Sequence, residues 1–324
     1  MILGFIEHDR GKLNEASLEM LTLARDVAEE LDVSLEAVLI GEEARPLAEG
    51  LAAYGVSEAH LVEDERLDDY APAAWAQCMV ELIEELEPEA VMASGTERGN
   101  EVMAYVAART DLPMAANCIE IAAEEDEPFE VTRIRWGGSL LEEALLEGEP
   151  KLLTVAAHVI EAEEADEEED LTINEVESDL DDDDFRVKVT DRVQPEEGVT
   201  LTDARVVVSG GRGVGSPEGF AVLEELAELL GGAVGCSRVV TNNGWRPHSD
   251  QVGQTGARVA PDLYIACGIS GAIQHWVGCM GAKKILVINT DKDAPIVAKA
   301  DYAVIADLHE ILPAISAEVR KLKG

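Results

Sequence analysis

Four breaks in the last third of the chain carry residue types that can hold a polar or anionic ligand. They are Ser209–Gly215, Ser237-Arg238 with Gln251–Gly256, Gly268–His275, and Asn289–Asp293. The first lies in RVVVSGGRGVGSPEGF (Arg205–Phe220), where an apolar run passes into four glycines and then a helical pattern. Glycines let backbone amides approach an anion, and a helix N-terminus adds partial positive charge. Neither common phosphate pattern is complete. A P-loop needs GxxxxGK[ST]; Gly210 and Gly215 have the spacing, but Ser216 and Pro217 follow and the lysine is missing. A dinucleotide loop needs GxGxxG; Gly211, Gly213 and Gly215 bring the third glycine one residue early, and Gly231–Val234 supplies no acid for a ribose. Taken alone, the loop has a second reading as a tight strand-to-helix turn without a ligand. Taken together, the four breaks fit an extended ligand with phosphates, a sugar and a planar ring, because C-terminal strand ends of an open parallel sheet line one crevice.

The elements that must position these breaks alternate. The pattern predicts strands at Ala204–Val208, Ala233–Gly235, Asp262–Cys267, Lys284–Ile288 and Tyr302–Ala306. Between them it predicts helices at Pro217–Leu230, Ala272–Met280 and Ala294–Lys299, closed by Leu308–Lys321. The first half alternates too. Strands are expected at MILGFIE, Leu35–Ile40, His60–Val62 and Ala90–Ala93, with helices at Leu13–Leu31, Ala44–Ala53, Ala71–Leu86 and Gly95–Arg109. From Ala116 to Ile160 the period falls nearer two, and Ile119–Ala122, Phe129–Ile134, Leu140–Leu145 and Leu152–Ala156 read as strands extending or flanking that sheet. Glu161–Asp184 holds 15 acidic residues and reads as a solvated linker or partly ordered loop. Phe185–Val193 alternates, and Pro195–Gly198 marks a boundary. The fold class expected is α/β: two doubly wound parallel-sheet domains, the first with extra antiparallel strands, divided as 1–190 and 191–324.

The formal net charge of the 324 residues is −42, from 67 acidic and 25 basic side chains. Such a chain offers no positive footprint for nucleic acid. The acid is spread well beyond Glu161–Asp184, as in a protein adapted to high salt, where ions screen repulsion between carboxylates. It is not spread evenly. Residues 201–324 carry 13 acids and 12 bases, the first 200 residues 54 acids and 13 bases. The near-neutral part either exposes less surface or holds an anion beneath a partner. The five scattered cysteines form no CxxC pair and read as small buried apolar residues in a reducing, cytoplasmic setting. The first residues, MILGFIEHDR, show no signal-peptide pattern, and no stretch nears 18 consecutive apolar residues, so no membrane insertion is expected.

The stretches VVVSGGRGVGS, GCSRVV, DQVGQTGARVAPDLYIACGISGAIQH, VINTD and ADYAVIADL together resemble the alpha subunit of electron-transfer flavoproteins. The likeness spans residues 204–319. It is fainter in the first half, where SGTERGNEVMAYVAARTDLP and IRWGGSLLEEALL are similar to that family's first domain. With the acid content, the resemblance suggests a halophilic, archaeal source. It implies FAD in the second domain, and a first domain that holds no nucleotide and packs on a beta subunit. It implies an electron carrier without its own substrate, taking electrons from dehydrogenases such as the acyl-CoA dehydrogenases of fatty acid beta-oxidation and passing them to a membrane-bound quinone oxidoreductase. Arg212, with Gly213 beside it, is placed by the resemblance at the flavin side. Arg238, after Ser237, is placed against the isoalloxazine ring, where a fixed guanidinium favours the charge that arrives on reduction. Thr255 is implied at flavin N5, with Gln251 and Gln254 beside it, and His275 at the C2 carbonyl, with Gln274 before it. Gly268, Ser270 and Gly271 are implied at the pyrophosphate, and Asn289 and Asp307 at the adenosine end.

The chain departs from the family at Thr290, where many relatives have lysine, and at Cys236, where alanine is common. Trp245 and Trp276 read as packing residues before ring-stacking ones, His248 as a loop residue, and Ser94-Gly95-Thr96 as a structural helix start. Three rival readings remain at this point. One is an electron-bifurcating complex with a second FAD in the beta subunit. Another is an NAD-dependent enzyme on the second domain, for which no nucleophile or base stands out. The third is a nucleotide-binding regulatory module, which would show no redox activity.

Overall fold

Ile2–Phe5 and Ala90–Ser94 are buried at every position, as strands covered by helices on both faces must be. The computed structural model describes residues 1–125, 127–136, 138, 140–166, 169–190 and 199–323. The chain divides into two compact units, Met1–Arg192 and Val193–Gly324. The boundary signal at Pro195–Gly198 lies outside the described residues.

The first unit runs β1 (Ile2–Phe5), α1 (Glu15–Leu31), β2 (Leu35–Ile40), β3 (Glu58–Val62), α2 (Pro72–Leu86), β4 (Ala90–Ser94) and α3 (Glu97–Thr110). It continues with β5 (Met114–Ala122), β6 (Phe129–Arg135), β7 (Leu140–Leu146), β8 (Lys151–Val155) and β9 (Thr172–Val176). These strands form one nine-stranded sheet, ordered β9-β3-β2-β1-β4-β8-β5-β6-β7. Pairing is parallel from β9 to β5 and antiparallel across β5, β6 and β7. Helix α1 starts at Asn14, whose side chain accepts from the Ala16 amide, and ends at Asp32 in the left-handed region. Its Met20, Leu21, Ala24 and Val27 pack on one sheet face, while α2 and α3 bury Trp75, Met79, Val102 and Val106 on the other. Each fully buried aliphatic side chain of this kind contributes about 1.5–3 kcal/mol.

Three expectations change here. The acid-rich segment 161–184 is not wholly linker. Its Thr172–Val176 pairs with Glu58–Val62 as an edge strand, and Leu180 is buried. Composition misled because an edge strand can show acids to solvent while Ile173 and Val176 pack inward. Lys151–Val155 is not a flank: it lies inside the sheet, parallel between β4 and β5. The helix expected over 44–53 is a chain of short turns, with one α-helical turn at Arg45–Ala48 between 3-10 segments, since Pro46 and Gly50 deny it a regular ladder. The described part of 185–193 contains no strand, and Val187 is exposed.

The second unit runs β10 (Val206–Gly210), α4 (Ala221–Leu230), β11 (Ala233–Cys236), α5 (Arg238–Asn242) and β12 (Leu263–Cys267). Then come α6 (Ile273–Cys279), β13 (Ile285–Asn289), β14 (Tyr302–Ile305) and α7 (Leu308–Lys323). Its sheet is wholly parallel, in the order β11-β10-β12-β13-β14. The order reverses between β10 and β12, the switch point at which open α/β sheets bind ligands. Leu223, Leu226, Leu308 and Leu312 of α4 and α7 cover one face; Cys279 of α6, with Ala294 and Ile296, covers the other.

Candidate functional site

All four polar breaks emerge at one edge of this second sheet. Gly210 pairs with both Cys236 and Cys267, Cys267 with Ile288, and Asn289 with Ile305, so the segments that follow leave side by side. At the switch point two of them touch. The Gly211 amide donates to Cys267 O at 2.9 Å and the Gly213 amide to Gly268 O at 3.0 Å. A β-carbon on Gly213 would stand 2.7 Å from Gly268 Cα. The glycines of the opening loop are therefore required first by backbone-on-backbone packing. Ser209, expected at the cleft edge, is fully buried within β10.

The cations stand differently. Arg212, in the 3-10 turn Arg212–Val214, and Arg238, the first residue of α5, are exposed. Neither side chain meets a carboxylate among the described residues, nor does the exposed Arg258, whereas Arg205, Arg246 and Arg320 of the same unit are paired. In a chain with 67 acids, two unpaired guanidinium groups on neighbouring strand ends concentrate positive charge where the sheet opens.

Behind them lies a hydroxyl–amide network. The single Thr241 hydroxyl proton is shared between Gln251 Oε1 at 2.7 Å and Arg238 O at 3.0 Å, and Gln251 Nε2 donates to Thr255 Oγ at 2.9 Å. Gln251 is 2% exposed, while Thr255 and Gln254 are on the surface. The turn holding Thr255 is anchored to the start of α6 by the Gln254 amide, which donates to Gln274 O at 2.6 Å. Gln274 is exposed, and His275 next to it points inward. His275 Nε2 lies 2.9 Å from the Tyr264 hydroxyl, and its buried Nδ1 faces the Val252 backbone without a well-formed hydrogen bond. Burial pushes the His275 pKa down to about 4, so the ring is neutral near pH 7 and acts as a hydrogen-bonding group, not as a cation. Tyr264 was not singled out from the sequence; a tyrosine within an aliphatic strand gives no sign of which ring it will meet.

Gly268 (φ 61°) and Gly271 (φ 78°) turn the chain between β12 and α6. The amides of Ser270, Gly271 and Ala272 donate to no group among the described residues, and the Ser270 side chain is exposed. Asn289 is buried. Its Nδ2 donates to Ile269 O at 2.8 Å and its Oδ1 accepts from the Asp291 amide at 3.0 Å, so it ties the glycine turn to the next loop. Asp307 opens α7, accepting from the His309 amide at 2.9 Å with one carboxylate oxygen. Ser237 leads into α5 without a side-chain cap. Thr290 and His248 are exposed. Trp245 and Trp276 pack on the two cores of the unit, Trp276 beneath Lys299 Nζ at 4.4 Å from its ring. All five cysteines are buried and free, and burial raises each thiol to about 12, so none is poised as a nucleophile.

The corresponding crevice of the first unit is already served by the chain itself. The Thr96 side chain accepts from the Gly99 amide at the start of α3 and donates to the buried Glu7 carboxylate, which also accepts from Asn14 Nδ2 at 2.8 Å.

Residues 2–181 match the electron transfer flavoprotein domain, and residues 200–280 the electron transfer flavoprotein FAD-binding domain. Over 321 residues the chain is 36% identical to the electron transfer flavoprotein subunit alpha of Thermoanaerobacterium thermosaccharolyticum, covering 98% of this chain and 97% of that one. The chain belongs to the electron transfer flavoprotein alpha-subunit family. An electron transfer flavoprotein subunit alpha from Megasphaera elsdenii is 36% identical over 323 residues (98% and 96% covered). Protein FixB of Bradyrhizobium diazoefficiens is 37% identical over 322 residues (98% and 87%). As an electron transfer flavoprotein alpha subunit, the chain is an electron carrier and not an enzyme with substrate turnover, and its cofactor is FAD. The second unit fits that group on two counts: unpaired guanidinium groups at Arg212 and Arg238 beside the switch point, and three amides at a glycine turn that donate to no described residue. Among the described residues no helix is long and apolar enough to cross a membrane.

Proposed function

We propose that this chain carries one FAD at the edge of its second unit, pairs with an electron transfer flavoprotein beta subunit, and passes electrons between dehydrogenases and a membrane-bound quinone oxidoreductase. Acyl-CoA dehydrogenases are the donor class named by the family resemblance. FAD, when bound, takes up and releases the electrons. The chain's own residues hold it, orient it and set the charge around it. Arg238 and Arg212 lend uncompensated positive charge, which favours an electron-rich ring. Thr255 offers a hydroxyl at the ring, and His275 a neutral ring nitrogen. The amides of Ser270 and Gly271 suit the pyrophosphate, with Gly268 shaping the turn. Asp307 keeps one carboxylate oxygen for the adenosine end, near Asn289. The first unit, with Glu7 lodged at its helix start, serves as a shelf for the beta subunit and holds no nucleotide.

The observation that carries this reading is the pair of unpaired arginines on adjoining strand ends at the switch point. The test is to purify the chain with its beta subunit and record the visible spectrum. One flavin per heterodimer supports the carrier. Two flavins mean a bifurcating complex, and a colourless protein overturns the proposal.

A further inference from the structure

Gln251 was expected to touch the cofactor, and its side chain is committed elsewhere. It is 2% exposed, its Oε1 takes the Thr241 hydroxyl at 2.7 Å, and its Nε2 reaches Thr255 Oγ at 2.9 Å. Thr241 sits in α5, whose first residue is Arg238, and its hydroxyl is shared with Arg238 O at 3.0 Å. One buried amide thus joins the helix that presents the arginine to the turn that presents Thr255. Backbone bonds close the turn itself (Gly253 N to Ala257 O, Ala257 N to Gln251 O) and tie it to Cys236 and Gln274, but the exposed Thr255 side chain is held by the Gln251 amide. A hydroxyl–amide chain held at its middle by a buried amide restricts the rotation of the groups at its ends.

Resting on the flavin reading above, we propose that Gln251 is a positioning residue: through Thr241 and Thr255 it fixes the spacing between the Arg238 helix and the Thr255 hydroxyl, and it sets the flavin's reduction equilibrium without touching the flavin. An exposed threonine free to rotate would lose alignment with the ring, and an α5 released from the turn would carry Arg238 with it.

The experiment uses the FAD-bearing heterodimer and reads the oxidised–reduced equilibrium of its flavin by potentiometric titration. Flavin content and melting temperature are recorded alongside. Thr255→Val should shift that equilibrium against the reduced flavin by about tenfold, the scale of one hydrogen bond. Gln251→Met should shift it in the same direction with flavin content retained, and the double variant should go no further than the larger single shift. Thr241→Val, a change of equal volume at the far end, should give a smaller shift that vanishes in the Thr255→Val background; it keeps the test open should Gln251→Met fold poorly. Additive shifts, or an unmoved equilibrium in both Gln251→Met and Thr241→Val while Thr255→Val moves it, would overturn the inference and leave the flavin reading standing. A colourless wild-type complex would overturn the flavin reading, and this inference with it.

Discussion

Gly213 and Gly268 lie so close that a β-carbon built on either would stand 2.7 Å from the other's Cα, and the Gly213 amide donates to Gly268 O across the gap. The two loops that flank the switch point are thereby fused at their base, and whatever lies above them depends on that seam. Gly213→Ala should force the loops apart at a cost of about 1–3 kcal/mol. Gly268→Ala should cost more, because φ is 61° there and a side chain strains the backbone as well. Melting temperature and flavin retention, compared with Gly215→Ala, check this; Gly215 has open space for a β-carbon, although its own φ of 86° adds strain. If Gly213→Ala proves milder than that control, the seam is not what demands the glycine.

Arg238 meets no carboxylate among the described residues, so its removal frees no buried partner and leaves the fold intact. Arg238→Ala should lower the flavin's first reduction potential, because a fixed cation near the ring stabilises added negative charge. FAD should stay largely bound. An unchanged potential would place the arginine away from the ring.

His275 is buried neutral, with its pKa held down to about 4 against an ordinary value of 6.5. In the unfolded chain the ring takes up a proton as pH falls through 6.5, while in the folded chain it does not until about pH 4. The contribution is therefore neutral above pH 6.5 and turns destabilising between pH 6.5 and 4, reaching at most roughly 3 kcal/mol. His275→Gln should flatten the acid limb of stability against pH relative to the wild type. Parallel curves for the two proteins across that window would show that the ring is solvated.

Tyr264→Phe should leave His275 Nε2 without its 2.9 Å partner in a buried site. The expected cost is about 1–3 kcal/mol in unfolding free energy. Denaturant melts of wild type, Tyr264→Phe and the double variant with His275→Gln would show whether the two residues act as one unit, in which case the losses are not additive.

Removal of salt should lower the melting temperature. The first 200 residues carry 54 acids against 13 bases, and crowding is visible locally. Asp26 is held above its ordinary value first by partial burial and then, against the pull of Arg25, by Glu29, Glu30 and Glu163. Such repulsion is screened over about 10 Å at 0.1 M salt and over about 3 Å at 1 M. A melting temperature that does not move between these concentrations would contradict the salt-adaptation reading.

Much of the architecture was legible in the residues themselves. A strand buried on both faces is predominantly apolar and an amphipathic helix must repeat near 3.6, so β1, β2, β4, α1 and α2 announce themselves, as does the change of period near Ala116. The four polar breaks pointed to one crevice, because parallel strands end on the same side. Tertiary structure alone decided which polar groups were already spoken for. Gln251 and Asn289 look like ligands in a linear chain, and in the fold one N–H and the carbonyl of each amide are already engaged by Thr241, Thr255, Ile269 and Asp291. It also decided that an acidic tract would lend the sheet its edge strand, and that His275 would face Tyr264. Local pattern reports which face of an element is apolar; it holds no record of the neighbour, distant in sequence, that packs there and takes the hydrogen bond.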